Sequence, residues 1–102
     1  MTAISSVSAI SLSGLQAAQT KLAVSANNIA NADTEGFHRQ EVVQTAEASG
    51  GVDVAVNRSA VPGAETIADA LNQIAARQEF MANLAVFKSN QQMLGQLLDA
   101  KA

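Results

Sequence analysis

Leucines recur at a seven-residue interval near the start of this chain, and that interval constrains everything else. Leu15, Leu22 and Ile29 stand seven apart, with Ala18 and Ser25 between them and Val7, Leu12 and Ala26 widening the stripe. The pattern predicts an amphipathic helix over about 4–31, its seam made of small residues that let another helix come close. Gly14 interrupts it at a cost of ~1 kcal/mol relative to alanine, which predicts fraying of the turns before it. A second periodic segment fills the end of the chain, about 64–98. Ile67, Leu71, Ile74, Gln78 and Met81 keep a four-three spacing, which resumes from Leu84 through Phe87, Gln91, Leu94 and Leu98 after a phase shift. Such a shift turns the apolar stripe around the helix, so the segment presents two faces in succession. It either bends around one partner or touches two. At ~1.5 Å per residue the helix runs to ~50 Å, long for a chain of this size.

Between the helices, about 38–63, the period changes. Val52, Val54 and Val56 alternate with Asp53 and Ala55, and Val42-Val43 lie upstream among polar residues. Period two signals a half-buried strand. Two short strands joined across Ala46 to Gly51 form a hairpin or extended segment, and Val61-Pro62-Gly63 closes it as a turn. A lone hairpin is marginal in water and must lean on something. The fold class expected is therefore mainly α: two long terminal helices packed as an antiparallel, coiled-coil-like pair with a small β-hairpin between them, in a single domain over 1–102.

Composition says how such a chain could be stable. Of its 102 residues 48% are hydrophobic, but 21 are alanine, which favours helix and buries little area. A small domain with so thin a core is marginal, and partner subunits would supply the missing burial. The net charge is −3 and the six basic residues are scattered singly. No basic stripe and few aromatics are present to bind nucleic acid. No apolar run approaches the ~20 residues that span a bilayer, so direct membrane insertion is not expected. The serine-rich start does not read as a cleavable secretory signal. An enzyme is disfavoured: His38 is the single histidine, no cysteine is present, and Asp33 and Glu35 sit beside His38 on a polar turn with no pocket signature. No catalytic, cofactor or metal residue is expected. Asn57-Arg58-Ser59 fits a glycosylation sequon, a pattern common by chance, and Gly50-Gly51 is explained by a hairpin turn.

The junction between the first helix and the insert reads Asn27-Asn28-Ile29-Ala30-Asn31, then Thr34-Glu35-Gly36-Phe37. Asparagines destabilise a helix unless their amides find partners. Asn27 and Asn31 share a face, and each amide is expected to bond backbone or a neighbouring subunit, at ~1 kcal/mol net. Asn31 is placed to end the helix near a left-handed conformation. Asp33 to Gly36 suits a type I turn, with Phe37 following as an apolar anchor.

These residues, with Ser13-Gly14-Leu15 through Leu22 before them, resemble the N-terminal signature of flagellar basal-body rod and hook proteins, in which a basic residue follows the T-x-GF motif; here His38-Arg39 holds that place. Ala76-Arg77-Gln78-Glu79-Phe80-Met81-Ala82-Asn83 and Met93-Leu94-Gly95-Gln96-Leu97-Leu98 resemble the family's C-terminal stretch. The acidic residue often found near the start of that family's second helix is missing from Ala70-Leu71-Asn72, and the middle region is short. The resemblance implies a small proximal-rod-type structural subunit. It would pack its terminal helices against those of itself and other rod subunits around the export channel, and it would leave the cytoplasm through the flagellar type III export apparatus to serve motility from the periplasmic basal body. The assembly residues it implies are Leu15, Ala18, Leu22, Asn27, Asn28, Ile29, Asn31, Thr34, Gly36 and Phe37 at one end, and Phe80, Met81, Asn83, Phe87, Met93, Leu94, Leu97 and Leu98 at the other. A small helical adaptor that dimerises through the same faces is the alternative, and periodicity does not separate the two.

Overall fold

A computed structural model of the chain describes residues 2–101, with side chains for 6–100; residues 1 and 102 of the expected domain, and the side chain of Ile4, lie outside the described residues. Helix α1 spans Thr2–Ala30, strands β1 and β2 span Gln40–Ala46 and Val52–Arg58, and helix α2 spans Thr66–Lys101. The mainly helical fold expected from periodicity is the one observed. The molecule measures 62 × 24 × 14 Å, with a radius of gyration of 17.4 Å, where a compact chain of this length has ~13 Å.

The helices run antiparallel, and a ladder of cross-contacts fixes their register. Asn28 meets Asp69, Lys21 meets Glu79, Gly14 meets Asn83 and Ser8 meets Asn90. On α1 the seam is the expected one: Leu15, Ala18 and Ser25 are buried, with Leu22 and Ile29 half-buried. Val7, Leu12 and Ala26, expected to widen that stripe, are exposed. At 100° per residue Leu12 lies ~60–80° round the helix from Leu15 and Leu22, at the edge of what a single partner covers.

On α2 the phase shift marks two faces, and one of them meets α1. Asp69, Ala76 and Asn90 are buried and Asn83 half-buried, seven apart, with half-buried Gln73, Phe80 and Phe87 between them and Leu94 just beyond. The stripe Ile67, Leu71, Ile74, Gln78 and Met81 lies on the opposite side and is exposed. Of the later stripe, Leu84, Phe87 and Leu94 are half-buried, whereas Gln91 and Leu98 are exposed, Gln91 still reaching Ser8 Oγ at 3.3 Å. Within this chain α2 packs on one helix, α1.

The hairpin forms as the valines predict. β1 and β2 pair antiparallel from Gln40↔Arg58 to Ala46↔Val52. Glu47 N donates to Gly51 O at 3.1 Å and Gly50 N to Glu47 O at 3.0 Å, closing the loop. Gly50 and Gly51 have φ of 91° and 94°, a region that glycine enters without steric cost. Both glycines also press on α1. A Cβ at Gly50 would sit 2.7 Å from Ile10 Cδ1, and one at Gly51 2.8 Å from Ser13 Oγ. Ser13 Oγ accepts from Val52 N at 3.2 Å, so the tip leans on α1 near its start.

The core is correspondingly thin. Among the described residues the buried apolar side chains are Leu15, Ala17, Ala18, Val24 and Ala76, while Ser11, Ser25, Asn28, Asp69 and Asn90 are buried polar ones.

Candidate functional site

The junction between α1 and β1 is the most elaborately bonded part of the molecule. Asn31 does not adopt a left-handed conformation; among the described residues only glycines have positive φ. Its amide reaches back instead. Nδ2 donates to Asn27 O at 2.9 Å and Asn27 Oδ1 at 2.7 Å, while Oδ1 accepts from Thr34 Oγ1 at 3.3 Å. Asn27 O also accepts from Asn31 N at 3.1 Å, so the amide adds a second bond at the last turn of the helix and ties it to Thr34. Asn31 thus bonds backbone as expected, but Asn27 Nδ2 reaches a side chain, Gln40 Oε1, at 3.4 Å.

The turn also sits one residue later than Asp33 to Gly36. Phe37 N donates to Thr34 O at 3.2 Å, with Gly36 at the third position and φ 73°. That position needs positive φ in a type II turn, and glycine is the residue that supplies it. Phe37 is half-buried, and its carbonyl accepts from Gly63 N at 3.0 Å. His38 Nδ1 lies 2.8 Å from Ser59 O; a carbonyl only accepts, so Nδ1 carries the proton.

Beneath the turn is a buried knot. Asn28 acts as if it were a strand residue: Gln40 N donates to its Oδ1 at 2.9 Å and its Nδ2 donates to Gln40 O at 2.9 Å. The same Nδ2 donates to Asp69 Oδ1 at 3.2 Å. Asp69, 2% exposed, receives the Arg39 guanidinium on both oxygens, with Nε to Oδ2 at 3.1 Å and Nη2 to Oδ1. Arg39 Nη1 stands 3.3 Å from Glu65 Oε2. Hydrogen bonding to Asp69 raises the Arg39 pKa above its ordinary value, with the Asp69, Glu65 and Glu41 charges adding to it and burial opposing. One amide and one fork-shaped ion pair therefore join α1, β1 and α2 at a single point. The basic residue after the GF motif is Arg39, and the acid it needs is Asp69, one position before the stretch where none was found. Sequence reasoning missed this pairing; its signal was the acid in the first turn of α2.

The two expected motif ends meet at a second point. Gly14 of the Ser13-Gly14-Leu15 stretch faces Asn83 of Ala82-Asn83: a Cβ there would lie 2.5 Å from Asn83 Oδ1. Asn83 Nδ2 donates to Glu79 O at 2.9 Å, and Glu79 pairs with Lys21 at 2.9 Å. Glycine at 14 lets the helices close, which explains a residue that otherwise only weakens α1.

The remaining expected residues divide by face. Phe80, Phe87 and Leu94 are half-buried in the seam with Leu15, Ala18, Leu22 and Ile29; Met81, Met93, Leu97 and Leu98 are exposed, as are Thr34 and Gly36 at the turn. Among the described residues no group of three His, Cys, Asp or Glu is placed to hold a metal, and no helix is long and apolar enough to cross a membrane.

Residues 9–38 match the family model described as flagella basal body rod protein. Over that span the chain is similar to the flagellar rod family, as the residues from Ser13 to Phe37 implied. The match covers most of α1, the turn and His38, and supports a structural role in the flagellar basal body rod. Neither Ala76–Asn83 nor Met93–Leu98 falls within it. No curated protein matches the chain.

Proposed function

We propose that this chain is a structural subunit of the flagellar basal-body rod. It assembles with copies of itself and with other rod subunits through its two terminal helices, around the export channel, after passage through the flagellar export apparatus. Beyond the family match, the observation that carries this reading is an imbalance of apolar surface. Among the described residues the buried apolar core is five side chains, three of them alanine, while Ile67 is 80%, Leu71 62% and Met81 62% exposed. Covering one such side chain fully is worth about 1.5–3 kcal/mol, so neighbours would add to a subunit whose own core is slight.

The expected assembly residues then act in two ways. Leu15, Ala18, Leu22, Asn28, Ile29, Phe80, Asn83, Phe87 and Leu94 set the helix pair, and Asn27, Asn31, Thr34, Gly36 and Phe37 set the junction, so they shape the surface. Met81, Met93, Leu97 and Leu98 supply surface for neighbours. Aspartate at Leu22 or Leu94, both in the seam, would disturb the subunit itself. Met93→Asp and Leu97→Asp separate the two effects. Both should keep the helical circular dichroism of the parent, yet basal bodies purified from the mutant cells should lack the subunit and the cells should not swim. Normal incorporation of the doubly substituted chain would overturn the reading.

A further inference from the structure

Both strands of the hairpin lie along α1, and neither packs on α2. Beside the knot, where α1, β1 and α2 meet, this leaves a cleft of about 310 Å³, at the lower end of the range of small-ligand sites. One seam hydroxyl opens into it. Ser11, Ser13 and Thr20 turn their hydroxyls back onto the preceding turn of α1, to Val7 O, Ile10 O and Gln16 O, a bond that the helix always offers to a serine or threonine. Ser25 does otherwise. It is 3% exposed, lines the cleft, and among the described residues its hydroxyl has no hydrogen-bond partner. A polar group so nearly buried is rarely left unbonded in a native protein, and it calls for a partner from outside the chain.

The charges around the cleft say what kind of partner fits. Its basic groups are already committed: Lys21 Nζ donates to both oxygens of Glu79, and Arg39 is divided between Asp69 and Glu65. The groups with bonding capacity to spare are acceptors. Glu41 makes no hydrogen bond or ion pair among the described residues, and Glu65 is exposed with a single contact at 3.3 Å. Glu41, Glu65, Asp69 and Glu79 outnumber Lys21 and Arg39 by two, so the local field favours a positive ligand. Val24 and Val42 add apolar wall, which suits a methylene stem better than a bare ion. We propose that the cleft binds an organic cation, an ammonium or guanidinium group whose N–H bonds reach Ser25 Oγ and the Glu41 carboxylate. The site lies apart from the exposed helix faces of the rod reading and does not rest on that reading.

Amide NMR spectra of the full chain test this by titration with N-acetyl-arginine amide, with its uncharged isostere N-acetyl-citrulline amide, and with sodium chloride at matched ionic strength. The arginine compound should give saturable shifts centred on the amides of Ser25, Glu41 and Asn72, in the millimolar range expected of partly exposed ion pairs. The citrulline compound should bind several-fold more weakly. Ser25→Ala removes an unbonded hydroxyl and Glu41→Gln an exposed charge, so both should keep the parent's circular dichroism while weakening binding several-fold. Shifts of the same amides that grow with protein concentration, with nothing added, would place the cation on a second copy of the chain; constant spectra on dilution, with saturable binding of the arginine compound, would assign it to a free molecule. Shifts matched by citrulline or by salt, or untouched by both substitutions, would overturn the proposal and leave Ser25 bonded by water alone. None of these results bears on incorporation into basal bodies, which is what tests the rod reading.

Discussion

The two ends of the helix pair are held by different chemistry. Where α1 finishes and α2 starts, Asn28, Arg39 and Asp69 are joined by directional bonds among buried or nearly buried groups. At the opposite end, Ser8 Oγ accepts from Asn90 Nδ2 and from Gln91 Nε2, and Met93, Leu97 and Leu98 stand exposed. The first end fixes register, since a slip by one residue would strand a buried carboxylate. The second holds the helices together while leaving apolar surface uncovered. Register is thus fixed mainly at one end of the 36-residue helix, while exposed apolar side chains stand on its outer side at both ends, Ile67 and Leu71 beside the knot and Met93, Leu97 and Leu98 at the other.

Removing the carboxylate should break this contrast most severely. Asp69→Ala leaves the Arg39 guanidinium, 13% exposed, without its main partner. It keeps only the exposed Glu65, and breaking a buried pair in this way costs up to about 3–5 kcal/mol, comparable with the whole stability of a small domain. Urea unfolding followed by circular dichroism should lose its cooperative transition. Raising the pH should not mimic the substitution. The folded Arg39 pKa is raised, so the stability it contributes is complete below the unfolded value and is lost only above the ordinary arginine range.

Asn28 is the next largest. Asn28→Ala removes both bonds to the Gln40 backbone and the one to Asp69, and should cost about 2–3 kcal/mol. Asn28→Asp should be worse than alanine. It cannot donate to Gln40 O, and it sets a second carboxylate against Asp69. A ranking by denaturation midpoint in which aspartate outperforms alanine would show that the amide is not the joint described here.

How far the sequence reveals these two ends differs for a physical reason. The α1 face is legible because its seam is marked by Leu15, Leu22 and Ile29, and the hairpin is legible because Val52, Val54 and Val56 alternate before a glycine pair supplies the loop. The α2 face is not. Its seam residues Asp69, Ala76, Asn83 and Asn90 are small or polar, so hydrophobicity points instead to Ile67, Leu71, Ile74 and Met81 on the far side. The knot is hidden for the same reason: Arg39 and Asp69 are 30 residues apart, and no local pattern says that a charged pair will be buried. Among the three asparagines, spacing draws attention to Asn27 and Asn31, whereas the buried one is Asn28. The T-x-GF junction could be located but its turn was one residue out, because glycine at the third position overrides the preference of aspartate for the first.

Gly14 tests the middle of the ladder and should give a sign reversal. Gly14→Ala gains helix propensity worth up to ~1 kcal/mol but drives a methyl into Asn83, whose amide is tied to Glu79 O. Overpacking of this kind costs about 1–3 kcal/mol, so the net change should be destabilising by about 1 kcal/mol. In an Asn83→Ala background the obstruction is gone, and the same substitution should stabilise the chain. A substitution at 14 whose effect is the same in both backgrounds would mean that the helices do not close there.

The smallest effect belongs to the open end, and its smallness is what the comparison requires. Ser8→Ala deletes the hydroxyl that accepts from Asn90 and Gln91, bonds that water can replace for Gln91, which is exposed. Neutral bonds of this type contribute about 0.5–1.5 kcal/mol each, and near a helix start the net should fall at the lower bound. Amide hydrogen exchange sharpens the contrast more than a midpoint does. In Ser8→Ala, protection should fall in the first turns of α1 and in the facing stretch of α2 around Asn90, while the amides of Asn28, Gln40 and Asp69 keep theirs. Loss of protection spreading to the Asn28 end would mean that the two ends unfold as one unit, and that the division of labour along α2 does not exist.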